Sequence, residues 1–396
     1  MDFNENMFEL GNKGSAIREL FEYGKKRKAE IGENNVFDFS IGNPSVEPPK
    51  EVSDSLINLL KDKNPNEIHG YTSALGDNDA RNSIRDFLNK KYNANIDSNL
   101  IYLTCGAAAS LTISLNAILN LGDEVIVFAP YFPEYKVFIE KACGKVIEVP
   151  VDMNDFQINF DILEKAINNK TKAIIVNSPN NPTGALFTKE TIEKLSSFLN
   201  NKEKEFNHTI FLISDEPYRE LIYEDIEYPF ITNFYDDSII CYSFSKSLSL
   251  PGDRIGYMVL SSNCKNNANV FKAICGAGRA LGFVCAPSLF QHLIPYCVDK
   301  TSDISIYKKN RDILYNMLKK IGYEIVYPDG AFYMFVKALE DSSINFSKRA
   351  LDYELLLVPS DSFGLPGFVR ISYCVKTDLI ERSKDAFAKL FTSYNK

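Results

Sequence analysis

Residues 239–260 read IICYSFSKSLSLPGDRIGYMVL. Two short apolar runs in this stretch, Ile239–Tyr242 and Tyr257–Leu260, have the length and composition of buried strands. The segment between them carries Lys246 among serines, and Arg254 follows eight positions later. A lysine just past a strand and near an arginine suits covalent amine chemistry beside a bound phosphate. Taken alone, such a lysine is more often a solvated surface residue.

Strand and helix patterns alternate along the chain on the N-terminal side of this stretch. Ile101–Leu103 leads into an apolar helical stretch that ends near Leu121, and Glu124–Phe128, Ala173–Val176 and Ile210–Ile213 read as further strands. Such alternation indicates βαβ units and a mostly parallel sheet flanked by helices, which is an α/β fold. Other predicted elements are helices over Phe132–Ala142, Asp161–Asn168 and Lys189–Leu199, and a strand over Lys145–Val149.

The pattern changes near Ser302 and predicts a second, smaller α+β domain. The N-terminal helix Ile17–Lys28 precedes the large sheet, so we expect it to pack on this domain and make it discontinuous. The predicted boundaries are 45–285 for the large domain, and 1–44 with 286–396 for the small one. The C-terminal elements are strands over Glu324–Tyr327, Phe332–Val336 and Phe368–Ser372 and a last helix over Asp378–Phe391.

Composition excludes several classes of partner and site. The net charge of −8 opposes attraction to nucleic acid or an anionic membrane. The N-terminus lacks the positive charge of a signal peptide and the chain lacks an apolar run of about 18 residues, so we expect a cytoplasmic protein without membrane contact. The eight cysteines form no CxxC pair and the three histidines have no ligand spacing, so we expect reduced thiols and no metal.

Three further segments each follow or end a predicted strand, where open α/β sheets bind ligands. They are NSPNNPTG at 177–184, SDEPY at 214–218 and VRISY at 369–373. With the lysine loop, and in this order, they resemble the class I/II aminotransferases, which are fold-type-I enzymes dependent on pyridoxal 5′-phosphate (PLP). The resemblance covers nearly the whole chain, from Ile41 to Arg370.

The resemblance implies that Lys246 binds PLP covalently. It also implies that Asp215 pairs with the protonated ring nitrogen, which lets the ring accept electrons, and that Tyr218 and Asn181 donate to the ring oxygen O3′. Lys246, Asp215 and Tyr218 are the expected catalytic residues. Two alternatives stay open, since Asp215 could cap the helix near Pro217 and Asn181 could shape an Asn-Pro turn.

The phosphate of PLP needs several donors and a fixed positive charge. Arg254 supplies the charge and Ser243 a hydroxyl, while the turn Gly106-Ala107-Ala108 opens a predicted helix whose free N–H groups favour an anion. The family often has Ser or Thr at the two alanines, so one or two hydroxyl donors are absent here.

Two aromatic residues complete the predicted cofactor site. Phe132, in PYFP at 130–133, would stack on the ring, with Tyr131 as the rival for that position and a plain core role as the alternative. Tyr71 would reach the phosphate from the neighbouring subunit of a homodimer, as the resemblance implies. It could equally be a surface aromatic.

Arg370 interrupts an apolar strand, and a charge there must find a partner or face solvent. The resemblance makes that partner the substrate α-carboxylate, with Gly42 and Asn181 beside it. Some family members bind the side-chain carboxylate of a dicarboxylic substrate through an extra arginine of the partner subunit, and Arg279 lies near the corresponding region. The apolar residues around Arg279 would equally suit an aromatic or aliphatic substrate.

The resemblance thus implies an aminotransferase that moves the amino group of an L-amino acid to a 2-oxo acid, with 2-oxoglutarate as the expected acceptor, by a ping-pong mechanism. A PLP-dependent C–S β-lyase with the same cofactor residues is the alternative. A non-catalytic sensor on the same fold is disfavoured because Lys246 is present.

Overall fold

The computed structural model describes residues 2–12, 14 and 16–394. The helices are α1 Glu5–Asn12, α2 Ala16–Ile31, α3 Lys50–Asp62, α4 Pro65–Ile68, α5 Asn78–Tyr92, α6 Ala107–Ile118, α7 Glu134–Lys141, α8 Phe160–Ala166, α9 Lys189–Phe206, α10 Phe244–Ser247, α11 Asn267–Ala280, α12 Ser288–Cys297, α13 Ser305–Ile321, α14 Ser343–Ala350, α15 Thr377–Arg382 and α16 Lys384–Thr392. The strands are β1 Phe37–Asp38, β2 Ile101–Thr104, β3 Glu124–Ala129, β4 Lys145–Pro150, β5 Thr171–Asn177, β6 Phe211–Asp215, β7 Ser238–Ser243, β8 Gly256–Leu260, β9 Tyr333–Lys337, β10 Leu355–Leu356, β11 Val358–Pro359 and β12 Phe368–Ser372.

A seven-stranded sheet has the order β2-β8-β7-β6-β5-β3-β4. Strand β8 is antiparallel to both of its neighbours, and the remaining adjacent pairs are parallel. Residues 239–260 form β7, the one-turn helix α10 and β8, so adjacent antiparallel strands flank Lys246. The predicted α/β fold with a mostly parallel sheet is confirmed.

The central strands bury side chains on both faces of the sheet. In β3, Val125 and Val127 join a core with the apolar residues of α6, while Ile126 and Phe128 join another with those of α9. Burying a side chain of this size stabilises the fold by about 1.5–3 kcal/mol. Two covered faces explain why these strands read as continuous apolar runs.

A second group of strands lies outside this sheet. Strands β11, β12 and β9 form an antiparallel sheet, and β1 pairs with β10 in parallel through Phe37 and Leu355. The N-terminal segment therefore joins the C-terminal part of the chain. The boundaries at 44/45 and 285/286 stay a prediction. Among the described residues, no helix combines the length and apolar character needed to cross a bilayer.

Three predicted elements differ from the structure. Glu324–Tyr327 makes a single β-bridge, Ile325 to Val336, instead of a strand, since Pro328, which follows directly, lacks the N–H that would extend the ladder. The helix predicted from Phe132 begins at Glu134, because Pro133 disfavours the helical conformation at the preceding Phe132. The last helix is divided at Ser383, whose hydroxyl donates to the carbonyl oxygen of Ile380.

Candidate active site

A cleft of about 300 Å³ lies at the carboxyl ends of the parallel strands. Asn177, Asp215 and Ser243 end the adjacent strands β5, β6 and β7, so the topology of the sheet brings them to one edge. The predicted site residues that line the cleft are Gly42, Ala107, Ala108, Phe132, Asn181, Asp215, Tyr218, Ser243, Lys246, Arg254 and Arg370.

Lys246 lies on the one-turn helix that follows β7. Its Nζ donates to the carbonyl oxygen of Gly42 at 2.7 Å and lies 5.3 Å from the ring centroid of Phe332. Burial lowers the pKa of Lys246 to about 8, because desolvation disfavours the charged ammonium. The neutral, nucleophilic amine is therefore far more abundant near physiological pH than in an ordinary lysine, although it is still the minor form below pH 8.

Asp215 is a buried carboxylate at the wall of the cleft. Its Oδ2 accepts a hydrogen bond of 2.5 Å from the hydroxyl of Tyr135, and its Oδ1 has no partner in the described part of the chain. Burial raises the pKa of Asp215 to about 7, and the hydrogen bond from Tyr135 opposes that rise. Oδ1 is a free acceptor for a cationic N–H group.

A chain of amide contacts fixes the loop after β5. The side chain of Asn177 donates to the carbonyl oxygen of Asp215 at 2.8 Å, and its Oδ1 accepts from the backbone N–H of Asn181 at 2.7 Å. Across the cleft, the hydroxyls of Tyr218 and Tyr333 are 3.0 Å apart. Burial raises the pKa of Tyr218 well above its usual value, so it remains a protonated donor.

Gly106, at the N-cap of α6, forms one side of an anion cradle. A Cβ at this glycine would lie 2.9 Å from Nη2 of Arg254 and 3.3 Å from Oγ of Ser243, and its φ of +90° favours glycine. The hydroxyls of Ser243 and Ser245 are 2.7 Å apart, and Nη1 of Arg254 donates to Oγ of Ser245 at 3.4 Å. Backbone N–H groups, two hydroxyls and a guanidinium thus converge although the helix begins with Ala107 and Ala108.

Arg370 is a buried cation, 2% exposed. Its Nη1 donates to Oδ1 of Asn181 at 3.1 Å and its Nη2 to the carbonyl oxygen of Ser40 at 2.6 Å, while its Nε has no partner among the described residues. Its contacts within the described chain include no carboxylate, and burial lowers its pKa. A guanidinium held in this way favours an incoming anion.

Some predicted residues lie elsewhere. Tyr71 is 92% exposed and is not part of the cleft wall, and Arg279 is exposed in the last turn of α11. Tyr131, the rival of Phe132, donates to Glu148 at 2.7 Å. The described residues include no cluster of three or more His, Cys, Asp or Glu side chains suited to a metal ion.

Three contacts were missed at the level of sequence. From α7, Tyr135 donates to Asp215, and from β9, Tyr333 lies beside Tyr218. From α2, Ile17 lines the cleft. An aromatic or apolar residue in an amphipathic element is predicted to pack in the hydrophobic core, so residue type alone does not mark these three as site residues. Tyr135 follows Phe132 by three residues, a spacing that puts two side chains on the same face of a helix. Because Phe132 was expected to face the cofactor, this spacing was the one indication that Tyr135 lies near the site.

Comparisons with known proteins identify the family of this chain. The family described as aminotransferase class I and II matches residues 34–387. A crystal structure of an aminotransferase from Eubacterium rectale is 53% identical, covers 100% of both chains and has a TM-score of 0.98. The probable aspartate aminotransferase of Methanocaldococcus jannaschii is 30% identical over 96% of this chain and 97% of its own. The probable N-acetyl-LL-diaminopimelate aminotransferase of Bacillus subtilis is 28% identical over 89% and 88%. With the family matched from near the first strand to the last helix, this chain belongs to the class I and II aminotransferases.

Proposed function

We propose that this aminotransferase uses PLP to move the amino group of an L-amino acid to 2-oxoglutarate by a ping-pong mechanism. The observation that carries the proposal is a pair of incompletely satisfied buried groups in one cleft. Asp215 Oδ1 has no hydrogen-bond partner, Arg370 has no carboxylate among the described residues, and Lys246 lies in the same cleft. Buried polar groups left open in this way indicate ligand positions.

The residues present fit PLP at each of its functional groups. Asp215 Oδ1 would accept from the protonated ring nitrogen, and the cradle of Gly106, Ser243 and Arg254 would hold the phosphate. Lys246 would hold the cofactor covalently, with Phe132 against the ring. When bound, PLP accepts the electrons released as a bond at the substrate Cα breaks.

The chain's own residues then account for binding and proton transfer. Arg370 would bind the substrate α-carboxylate through its fork of N–H groups. Lys246 Nζ, which is partly neutral, would take the proton from the substrate Cα and later return it. Tyr218 and Asn181 would donate to the ring oxygen O3′. Since one arginine serves both α-carboxylates, donor and acceptor must occupy the cleft in turn, which gives ping-pong kinetics.

The amino donor is the open part of the proposal, since the relatives are named for different substrates, aspartate and N-acetyl-LL-diaminopimelate. Both relatives are aminotransferases, so the C–S β-lyase alternative is not favoured. We also propose a homodimer in which the exposed Tyr71 reaches the phosphate of the partner's cofactor.

Steady-state kinetics test this function. L-aspartate, L-alanine and L-phenylalanine are offered as donors with 2-oxoglutarate, and L-glutamate is measured. The proposal predicts glutamate formation and parallel lines in double-reciprocal plots. Intersecting lines would contradict the ping-pong mechanism, and release of pyruvate and ammonia from L-cystathionine without an acceptor would favour the lyase.

A further inference from the structure

Tyr135 lies on α7, behind the wall of the cleft, and its side chain is held firmly by its neighbours. It is buried, its ring stacks at 13° against Tyr131 and meets the ring of Phe132 edge-on at 5.7 Å. This packing fixes the position of the hydroxyl, which donates to Oδ2 of Asp215 at 2.5 Å. A hydrogen bond this short to a carboxylate is of the charge-assisted kind.

No cation contacts Asp215 in the described part of the chain. The titratable groups that act on it, or on which it acts, are Glu216, Tyr218 and Cys241 besides Tyr135. Glu216 is itself paired with Arg219 at 2.8 Å, so that arginine is already engaged. The side-chain group seen to stabilise the negative charge of Asp215 is therefore the hydroxyl of Tyr135.

Burial favours the protonated carboxyl, and the hydrogen bond favours the ionised one, so the two effects compete directly. A protonated Asp215 would lose the charge that holds a pyridinium nitrogen. The balance between burial and this hydrogen bond therefore decides whether Asp215 is ionised near neutral pH and can pair with the pyridinium nitrogen.

We propose that Tyr135 is a positioning residue for the cofactor, whose hydroxyl keeps the Asp215 carboxylate ionised and leaves Oδ1 for the ring nitrogen of PLP. It acts through Asp215 rather than on the substrate. This inference rests on the proposed function, because it needs PLP in the cleft. It assigns a role to a residue that the site predicted from sequence did not include.

The test is the affinity of the full chain for PLP, measured by absorbance or fluorescence titration from pH 6 to pH 9. Tyr135→Phe removes the hydroxyl and keeps the ring. We expect it to bind PLP about tenfold or more weakly than wild type at pH 6, the size expected for a hydrogen bond to a charged group. The difference in PLP affinity between the variant and wild type should become smaller toward pH 9, because Asp215 is then ionised in both proteins.

The matched control is Tyr131→Phe, which removes a neighbouring hydroxyl that donates to Glu148 and should bind PLP like wild type. In an Asp215→Asn background, Tyr135→Phe should add no pH-dependent loss. Equal affinity of Tyr135→Phe and wild type at pH 6, or a loss of the same size at pH 6 and pH 9, would overturn the inference, since a purely structural role weakens binding at every pH.

If Tyr135→Phe does not fold, 3-fluorotyrosine placed at position 135 keeps the shape and makes the hydroxyl a stronger donor. The binding curve should then move to lower pH, and an unmoved curve would overturn the inference. Failure of the wild-type chain to bind PLP at any pH is a separate outcome, which overturns the proposed function and this inference with it.

Discussion

The side-chain nitrogen of Lys246 donates a hydrogen bond of 2.7 Å to the carbonyl oxygen of Gly42, across 204 residues of sequence. This contact joins the lysine loop of the large sheet to the segment that follows β1. That segment is in turn paired with the C-terminal part of the chain through Phe37 and Leu355. The cleft is therefore complete only when both groups of strands have formed.

The reaction of Lys246 with PLP should depend on pH in a defined direction. Burial lowers the pKa of this lysine to about 8, so the neutral amine is the minor form below that pH and the major form above it. We expect the rate of PLP incorporation, followed by stopped-flow absorbance on cofactor-free protein, to rise with pH and level off above about 8. A rate that keeps rising toward 10.5, the ordinary lysine value, would contradict this.

Replacement of Arg370 by lysine should weaken substrate use without loss of the cofactor. Lysine keeps the charge but loses the planar fork that binds a carboxylate through two N–H groups. Loss of a hydrogen bond to a charged group is expected to lower kcat/KM by about 10- to 100-fold, which corresponds to about 1.5–3 kcal/mol. PLP affinity should change little. The control is Arg382→Lys on the surface, and an unchanged kcat/KM in Arg370→Lys would count against the carboxylate role.

Gly42 should tolerate no side chain. A methyl group there would overlap the phenol oxygen of Tyr333, which lies beside Tyr218 and below Arg370. We expect Gly42→Ala to lower kcat/KM at least tenfold, since both neighbours depend on the position of Tyr333.

Gly252 provides the matched control, because an added Cβ there meets nothing within 4 Å. Gly252→Ala should keep normal kinetics. Thermal unfolding of both variants separates a local disturbance of the site from a loss of the fold. Normal turnover in Gly42→Ala would contradict the prediction that the position of Tyr333 matters for activity.

The sequence was most informative where a charged or polar residue interrupts or ends an apolar strand. Asp215 ends β6, Arg370 interrupts β12, and Lys246 follows the end of β7 by three residues. All three line one cleft, Asp215 and Lys246 from the large sheet and Arg370 from the small one. The β-branched runs indicated the sheet because strands that are covered on both faces need apolar side chains at nearly every position.

The sequence was less informative where tertiary contacts or local geometry decide. Tyr135 and Tyr333 are aromatic residues in regular elements, and only packing of α7 and β9 against the cleft turns them into polar partners. The predicted strand at Glu324–Tyr327 was wrong because Pro328, directly after it, has no N–H to extend the ladder beyond the single bridge at Ile325. The partner contact predicted for Tyr71 stays a prediction.

The most direct measurement of the central claim is the absorbance spectrum of the purified protein with bound PLP, followed by addition of single L-amino acids without an acceptor. We predict that at least one of them converts the cofactor band to a pyridoxamine-type band, with release of one equivalent of 2-oxo acid. Lys246→Ala should fail to do so. A PLP band that no L-amino acid converts, or equal conversion by Lys246→Ala, would contradict the account.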